Sequence, residues 1–238
     1  MPNDFFQFKQ FKILQNKCLM KVGTDAVLLG AWIDTSNYKT ILDIGTGTGV
    51  IALMIAQKSN SIITAIEIDE DSCFQAKVNF SNSLFSDKIK SKHISFQEFY
   101  NTNSKKFDLI VSNPPYFINS LKSKKIGQNL SKHNDLLSFE DLLLGVLKLL
   151  TKTGKFCLIL PKNEALIFNK MAQINGLFLT KLLRVQTRND DVSEKRHLMQ
   201  FEFSKTEYSE STLIIEENSH RNYTKEYKDF TKDYYLNF

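Results

Sequence analysis

Thr40–Ile44 is a short apolar segment that runs straight into Gly45-Thr46-Gly47-Thr48-Gly49, and a helix-forming run at 50–57 follows. Glycine lets a backbone turn within a few residues and lets another molecule come close to it. Strand, glycine turn and helix, in that order, open the doubly wound α/β folds. The rest of the chain keeps the alternation. Apolar runs suited to strands fall at 62–66, 89–96, 109–111, 155–160, 179–185 and 198–203. Helical patterns at 70–84, 138–150 and 163–176 lie between them. Ser138 with acids at Glu140 and Asp141 reads as a capped helix start. Only a polar loop, 186–197, separates the last two strands. The expected fold is therefore α/β, a doubly wound, seven-stranded, mostly parallel, Rossmann-like sheet with a final antiparallel strand.

With 238 residues, 42% of them apolar, the chain can bury the core of one domain. It divides into an N-terminal arm and helix (1–39), a core (40–204) and a tail (205–238) that packs back on the core. In the arm, Val22, Ala26, Leu29 and Ile33 recur near helical spacing, with Thr24 or Asp25 as the cap. In the tail, Tyr223, Tyr227, Phe230 and Tyr234 recur at i, i+4, i+7 and i+11, with Phe238 one step further, as on one face of a helix. No apolar run reaches the ~18 residues of a membrane-spanning helix. Cys18, Cys73 and Cys157 are odd in number and far apart, as expected of reduced thiols in the cytoplasm. The histidines, His93, His133, His197 and His220, are isolated from one another, so no metal site is expected.

The spacing of the glycines narrows the ligand. A dinucleotide fold calls for glycine at 45, 47 and 50, and position 50 is Val. Gly45, Gly47 and Gly49 instead follow the Gly-x-Gly-x-Gly spacing seen with S-adenosylmethionine, which has no pyrophosphate to place at the helix N-terminus. Thr46 sits inside that turn. Glu67 ends the second strand, 22 positions past Gly45, and a carboxylate there can accept both ribose hydroxyls of an adenosine. Asp69 caps the helix that follows, and Ile68 lies between the two acids at the cofactor. Gln97, past the third strand, could take the adenine amine on its amide oxygen. The turn Lys21–Asp25, with Lys21 and Thr24, would lie over the bound cofactor.

The fourth strand ends abruptly at Ser112-Asn113-Pro114-Pro115-Tyr116. Neither proline has an N–H for a strand ladder, and the residue before a proline is pushed away from helix. The chain so stops at the carboxyl end of a strand, where open α/β sheets bind ligands. Asn113 Oδ1 and the Pro114 carbonyl can each accept one N–H of an amine on a flat ring, Pro115 keeps the turn rigid, and Tyr116 can stack on that ring.

Charge adds a partner. Residues 5–24, 109–134 and 165–189 contain no acid. The second window carries Lys122, Lys124, Lys125 and Lys132, and Lys195-Arg196 sits in the late polar loop. A polyanion approaching the mouth of the site fits this distribution and the net charge of +5. Lys122, Lys124, Lys125, Lys132 and Arg196 are the expected RNA contacts.

Taken together, Gly-x-Gly-x-Gly, Glu67 and Asn-Pro-Pro-Tyr resemble the class I methyltransferases that act on exocyclic nitrogens. MKVGTDAVLLGAW, LDIGTGTGVIALMIAQ, VSNPPYF and the YTKEY…DYYLNF tail are similar, more closely, to the bacterial tRNA1(Val) adenine-N6 methyltransferase family. The resemblance covers nearly the whole chain. It implies S-adenosylmethionine as cofactor, tRNA as partner, and N6-methylation of the adenine just 3′ of a valine tRNA anticodon, by a monomer without a metal. It also implies that Asn113 reaches the cofactor as well as the base, and that Asp43 orients the methionine amine. Gln97-Glu98 stands where many relatives carry an acid. Glutamine-N5 methyltransferases of release factors share Asn-Pro-Pro-Tyr but carry a helical domain ahead of the cofactor fold, and here only 39 residues precede the first strand. A non-catalytic RNA-binding scaffold would have no need of Asn113 or the glycine turn.

Overall fold

The computed structural model describes residues 4–18, 20–115, 137–190 and 193–238. The chain opens with a hairpin, β1 (Phe5–Gln7) and β2 (Lys12–Leu14), and then α1 (Thr24–Trp32). The glycine segment follows as β3 (Thr40–Ile44) and α2 (Val50–Lys58). Next come β4 (Ile62–Glu67), α3 (Glu70–Ser81), β5 (Ile89–His93), α4 (Phe96–Thr102) and β6 (Phe107–Ser112). Beyond the undescribed stretch are α5 (Phe139–Leu149), β7 (Leu150–Pro161), α6 (Lys162–Ile174), β8 (Phe178–Arg188), β9 (Glu194–Glu202), β10 (Ser209–Glu216) and α7 (Lys225–Thr231).

The main sheet runs β10-β8-β9-β7-β6-β3-β4-β5. Every neighbouring pair is parallel except those involving β9, which is antiparallel to both β7 and β8. Side chains alternate between its faces, as a strand requires. Ile41, Leu109, Val111, Cys157 and Ile159 point to the core shared with α1, α2 and α3. Leu42, Ile110, Phe156, Leu158 and Leu160 point to the core shared with α4, α5 and α6.

The doubly wound, mostly parallel fold is the expected one, but it is wider than seven strands. The main sheet has eight, and the arm adds a two-stranded sheet. β10 reads SESTLIIE, and its exposed first half carries no apolar alternation, so its pairing rests on backbone bonds to β8. α1 is capped by Gly23 without a side-chain bond; Thr24 and Asp25, the expected caps, are its first two helical residues, and the Asp25 carboxylate pairs with Arg196. The tail helix is short. Tyr227 and Tyr234 are buried, and Tyr223, Phe230 and Phe238 pack against the same core, but only 225–231 is helical.

Candidate active site

Three parallel strands, β6, β3 and β4, lie side by side and end together. Ser112 is in register with Ile44, and its hydroxyl donates to the Ile44 carbonyl at 3.1 Å. Asn113 and Gly45 are the next residues on each strand, so they leave the sheet as neighbours. Ile44 is in turn opposite Ile66, which brings Glu67 to the same edge. Gly45 N–H and Thr46 N–H both donate to the Ile66 carbonyl at 3.0 Å, folding the glycine turn back over β4.

Gly45, Gly47 and Gly49 all have left-handed φ angles, 68°, 53° and 84°. A side chain strains such a backbone, which is why glycine occupies it. The three differ in surroundings. A Cβ on Gly45 or Gly47 would meet no atom within 4 Å, so both face open space. A Cβ on Gly49 would lie 2.4 Å from the Phe80 ring. Gly49, expected at the cofactor, turns its Cβ direction into the core and forms the N-cap of α2 without a side-chain bond.

Glu67 closes the turn from the other side. Its Oε2 accepts from Gly47 N–H at 2.8 Å, and its Oε1 accepts from Ile68 N–H at 2.9 Å and Asp69 N–H at 3.0 Å. The Ile68 carbonyl is held in turn by His93 Nε2 at 2.9 Å. Asp69 caps α3 by accepting from Ser72 N–H at 2.8 Å.

Asp43 is fully buried beneath the turn. Thr46 Oγ1 donates to its Oδ2 at 2.6 Å, whereas Oδ1 has no hydrogen-bond partner of normal geometry. Burial pushes its carboxyl up to about 7; the Thr46 hydroxyl and the Ala52 amide pull against that shift, and the Glu67 charge adds to it. Only the Ala52 amide approaches this side of the carboxyl, so Oδ1 keeps capacity to accept from a group that a ligand brings. A cationic amine suits it. The open face over Gly45 and Gly47, the under-used oxygen of Asp43 and the carboxylate of Glu67 together fit S-adenosylmethionine.

Asn113 is half-buried, Pro114 buried and Pro115 exposed at this edge, whereas Tyr116 lies outside the described residues. So do Lys122, Lys124, Lys125 and Lys132. Lys21 is exposed ahead of α1, and Thr24 faces a cavity that it shares with Arg196. Gln97 departs from expectation. β5 stops at His93, Ser95 caps α4, and Gln97 lies in the first turn of that helix, where its amide donates to Asp141 Oδ2 at 3.1 Å. Arg196 faces protein: its Nε lies 2.7 Å from Asp25 Oδ2.

Asn79, which the sequence did not single out, ties this site together. Its buried amide donates to the carbonyls of Thr48 and Leu14, both at 2.9 Å, and accepts from Leu14 N–H at 2.8 Å. The arm is thereby fastened to the glycine turn. An asparagine inside a helical pattern carries no local mark of such a role.

A doubly wound sheet with this glycine turn and an Asn-Pro-Pro stop defines a class I methyltransferase, and the methyltransferase small domain family matches residues 20–159. The crystal structure of a predicted O-methyltransferase from Agrobacterium tumefaciens superposes with a TM-score of 0.69, covering 88% of this chain and 96% of that one. At 17% identity that likeness concerns the fold alone. Relatives are much nearer. The tRNA1(Val) (adenine(37)-N6)-methyltransferase of Trichodesmium erythraeum is 44% identical over 100% of both chains. That of Bacteroides fragilis is 43% identical over 99% of both. The chain belongs to the tRNA1(Val) (adenine(37)-N6)-methyltransferase family. Among the described residues, no helix is long and apolar enough to cross a membrane, and no group of His, Cys, Asp or Glu could hold a metal ion.

Proposed function

We propose that this methyltransferase transfers a methyl group from S-adenosylmethionine to the N6 amine of adenine in a tRNA, the adenine 37 of valine tRNA named for its relatives. One observation carries the reading: the register of Ser112 on Ile44, which sets the Asn113-Pro114 stop beside the open glycine turn. When bound, S-adenosylmethionine supplies an electrophilic methyl carbon. Asn113 Oδ1 and the Pro114 carbonyl accept the two N–H bonds of the target amine. Those bonds favour a pyramidal nitrogen whose lone pair is released from the ring, and they strengthen as positive charge develops there. Holding both reactants in line contributes on the order of 7–11 kcal/mol. The methylated, cationic nitrogen is acidic, so water suffices to take its proton.

Asp43 receives the methionine amine, Glu67 the ribose, and Gly45, Thr46 and Gly47 give backbone close to both, with Ile68 and Lys21 beside them. Tyr116 stacks on the target base, a contact worth about 1–3 kcal/mol. Lys122, Lys124, Lys125 and Lys132 meet the tRNA backbone. We read the chain as one domain that acts as a monomer in the cytoplasm. The test is mass-spectrometric nucleoside analysis of tRNA incubated with the protein and labelled S-adenosylmethionine. Label in N6-methyladenosine is expected; label elsewhere, or none, overturns the reading.

A further inference from the structure

The carboxyl edge of the sheet carries a second concavity. A cavity of 720 Å³ lies not over the glycine turn but at the β8–β9–β10 end of the same edge. Its floor comes from Val185 and Thr187 late in β8, Ile215 and Glu216 at the end of β10, and Lys195 and Arg196 at the start of antiparallel β9. The first turn of α1 and the tail form its walls. Arg196 is in register with Pro161, the last residue of β7, and β7 lies next to β6, which carries Asn113. From β8 to β6 is three strand spacings, on the order of 14 Å across the edge. That is the span of a few nucleotides.

The wall is aromatic. Tyr227 and Tyr234 are 3% and 4% exposed and plug into the core. Tyr223, Tyr235 and Phe238 remain half-buried around the cavity, with Phe238 5.2 Å from Tyr223 and 5.3 Å from Tyr235, centroid to centroid. Lys195 is exposed on the rim, with Arg196 and the exposed His220 beside it. The two acids present are matched, Asp25 by Arg196 at 2.7 Å and Glu216 by His220 at 3.2 Å and Arg221 N–H at 2.9 Å. Flat rings beside an exposed cation, in a volume suited to one small ligand, are a means by which single-stranded nucleic acid is held.

We propose that this cavity takes a nucleotide of the substrate RNA that flanks the methylated base, with its base against Tyr223 and Phe238 and its phosphate at Lys195. The proposal rests on the RNA reading above. It is tested with the full chain and an unmodified valine anticodon stem-loop, using fluorescence anisotropy for affinity, a methylation assay for KM and kcat, and S-adenosylmethionine affinity as the control for folding. Tyr223→Ala is expected to weaken stem-loop binding at least fivefold and raise KM, with kcat within about twofold, and Tyr223→Phe to bind as wild type. Lys195→Ala, on the exposed rim, is expected to lower the slope of log affinity against log salt by about one, and it decides the matter should Tyr223→Ala misfold. Wild-type methylation together with unaltered stem-loop binding by Tyr223→Ala, or an unaltered salt slope in Lys195→Ala, overturns the cavity assignment alone. Wild-type protein that neither binds nor methylates any RNA overturns the RNA reading instead.

Discussion

The Glu67 carboxylate accepts a hydrogen bond from the Gly47 amide at 2.8 Å, joining the acid at the end of β4 to the middle of the glycine turn. One side chain thus shapes the turn. Its other oxygen holds the Ile68 and Asp69 amides. Hydrogen bonds to a charged group contribute about 1.5–3 kcal/mol each. Glu67→Ala is expected to weaken S-adenosylmethionine binding at least tenfold by calorimetry and to lower the melting temperature as well. An unaltered dissociation constant would reject the ribose assignment.

With Asp43 at the methionine amine, as proposed, cofactor binding should depend on pH. Burial lifts its carboxyl to about 7, so below that pH the empty site is protonated, and a cationic amine must displace the proton. Affinity should fall as pH drops from 8 to 6, approaching tenfold per unit below the pKa. Folding has its own sign. The folded pKa lies above the ordinary aspartate value of 3.8, so the folded state binds the extra proton between those values, and stability falls as pH rises through that window. Asp43→Asn should therefore melt higher than wild type near pH 8 and bind S-adenosylmethionine much more weakly. Calorimetry and thermal melts at matched pH measure both, and a flat affinity profile would remove Asp43 from the site.

The three glycines separate by experiment. Gly49→Ala drives a Cβ into the Phe80 ring at a φ of 84°, and should cost about 1–3 kcal/mol of stability through overpacking alone. Gly47→Ala meets no atom of the protein. It should cost only the ~1–2 kcal/mol of a left-handed residue, yet obstruct the cofactor. Denaturant unfolding should rank Gly49→Ala the less stable, and calorimetry should show Gly47→Ala binding at least tenfold more weakly than wild type.

Replacing Lys122, Lys124 and Lys125 by alanine should flatten the salt dependence of tRNA binding by roughly two to three units of slope. S-adenosylmethionine affinity should stay as in wild type. An unchanged slope would take these lysines off the RNA backbone.

Some of this was written locally in the chain and some was not. Glycine spacing and paired prolines are turn chemistry, so β3, the glycine turn and the stop after β6 could be read directly. The start of α4 carried a mark that apolar content hid. Ser95 and Glu98 form the S-x-x-E pattern of a helix start, but Ile94 and Phe96 prolong the apolar run of β5, so the pattern puts Gln97 just past a strand end. β10 and the arm hairpin are short edge pairings with little alternation, so their partners decide their structure. Asn79 to Leu14, and Asp25 to Arg196, join residues 65 and 171 positions apart. No local pattern encodes such contacts. They decide which basic residue is held by an acid and how the arm meets the turn.

The central claim is that Asn113 grips the target amine beside the glycine turn. The most direct test is single-turnover methylation of tRNA by Asn113→Ala, with tRNA affinity measured in parallel. The account predicts a rate lower by at least a hundredfold and an RNA dissociation constant within about threefold of wild type. A rate close to wild type, or equal losses in rate and affinity, would contradict it.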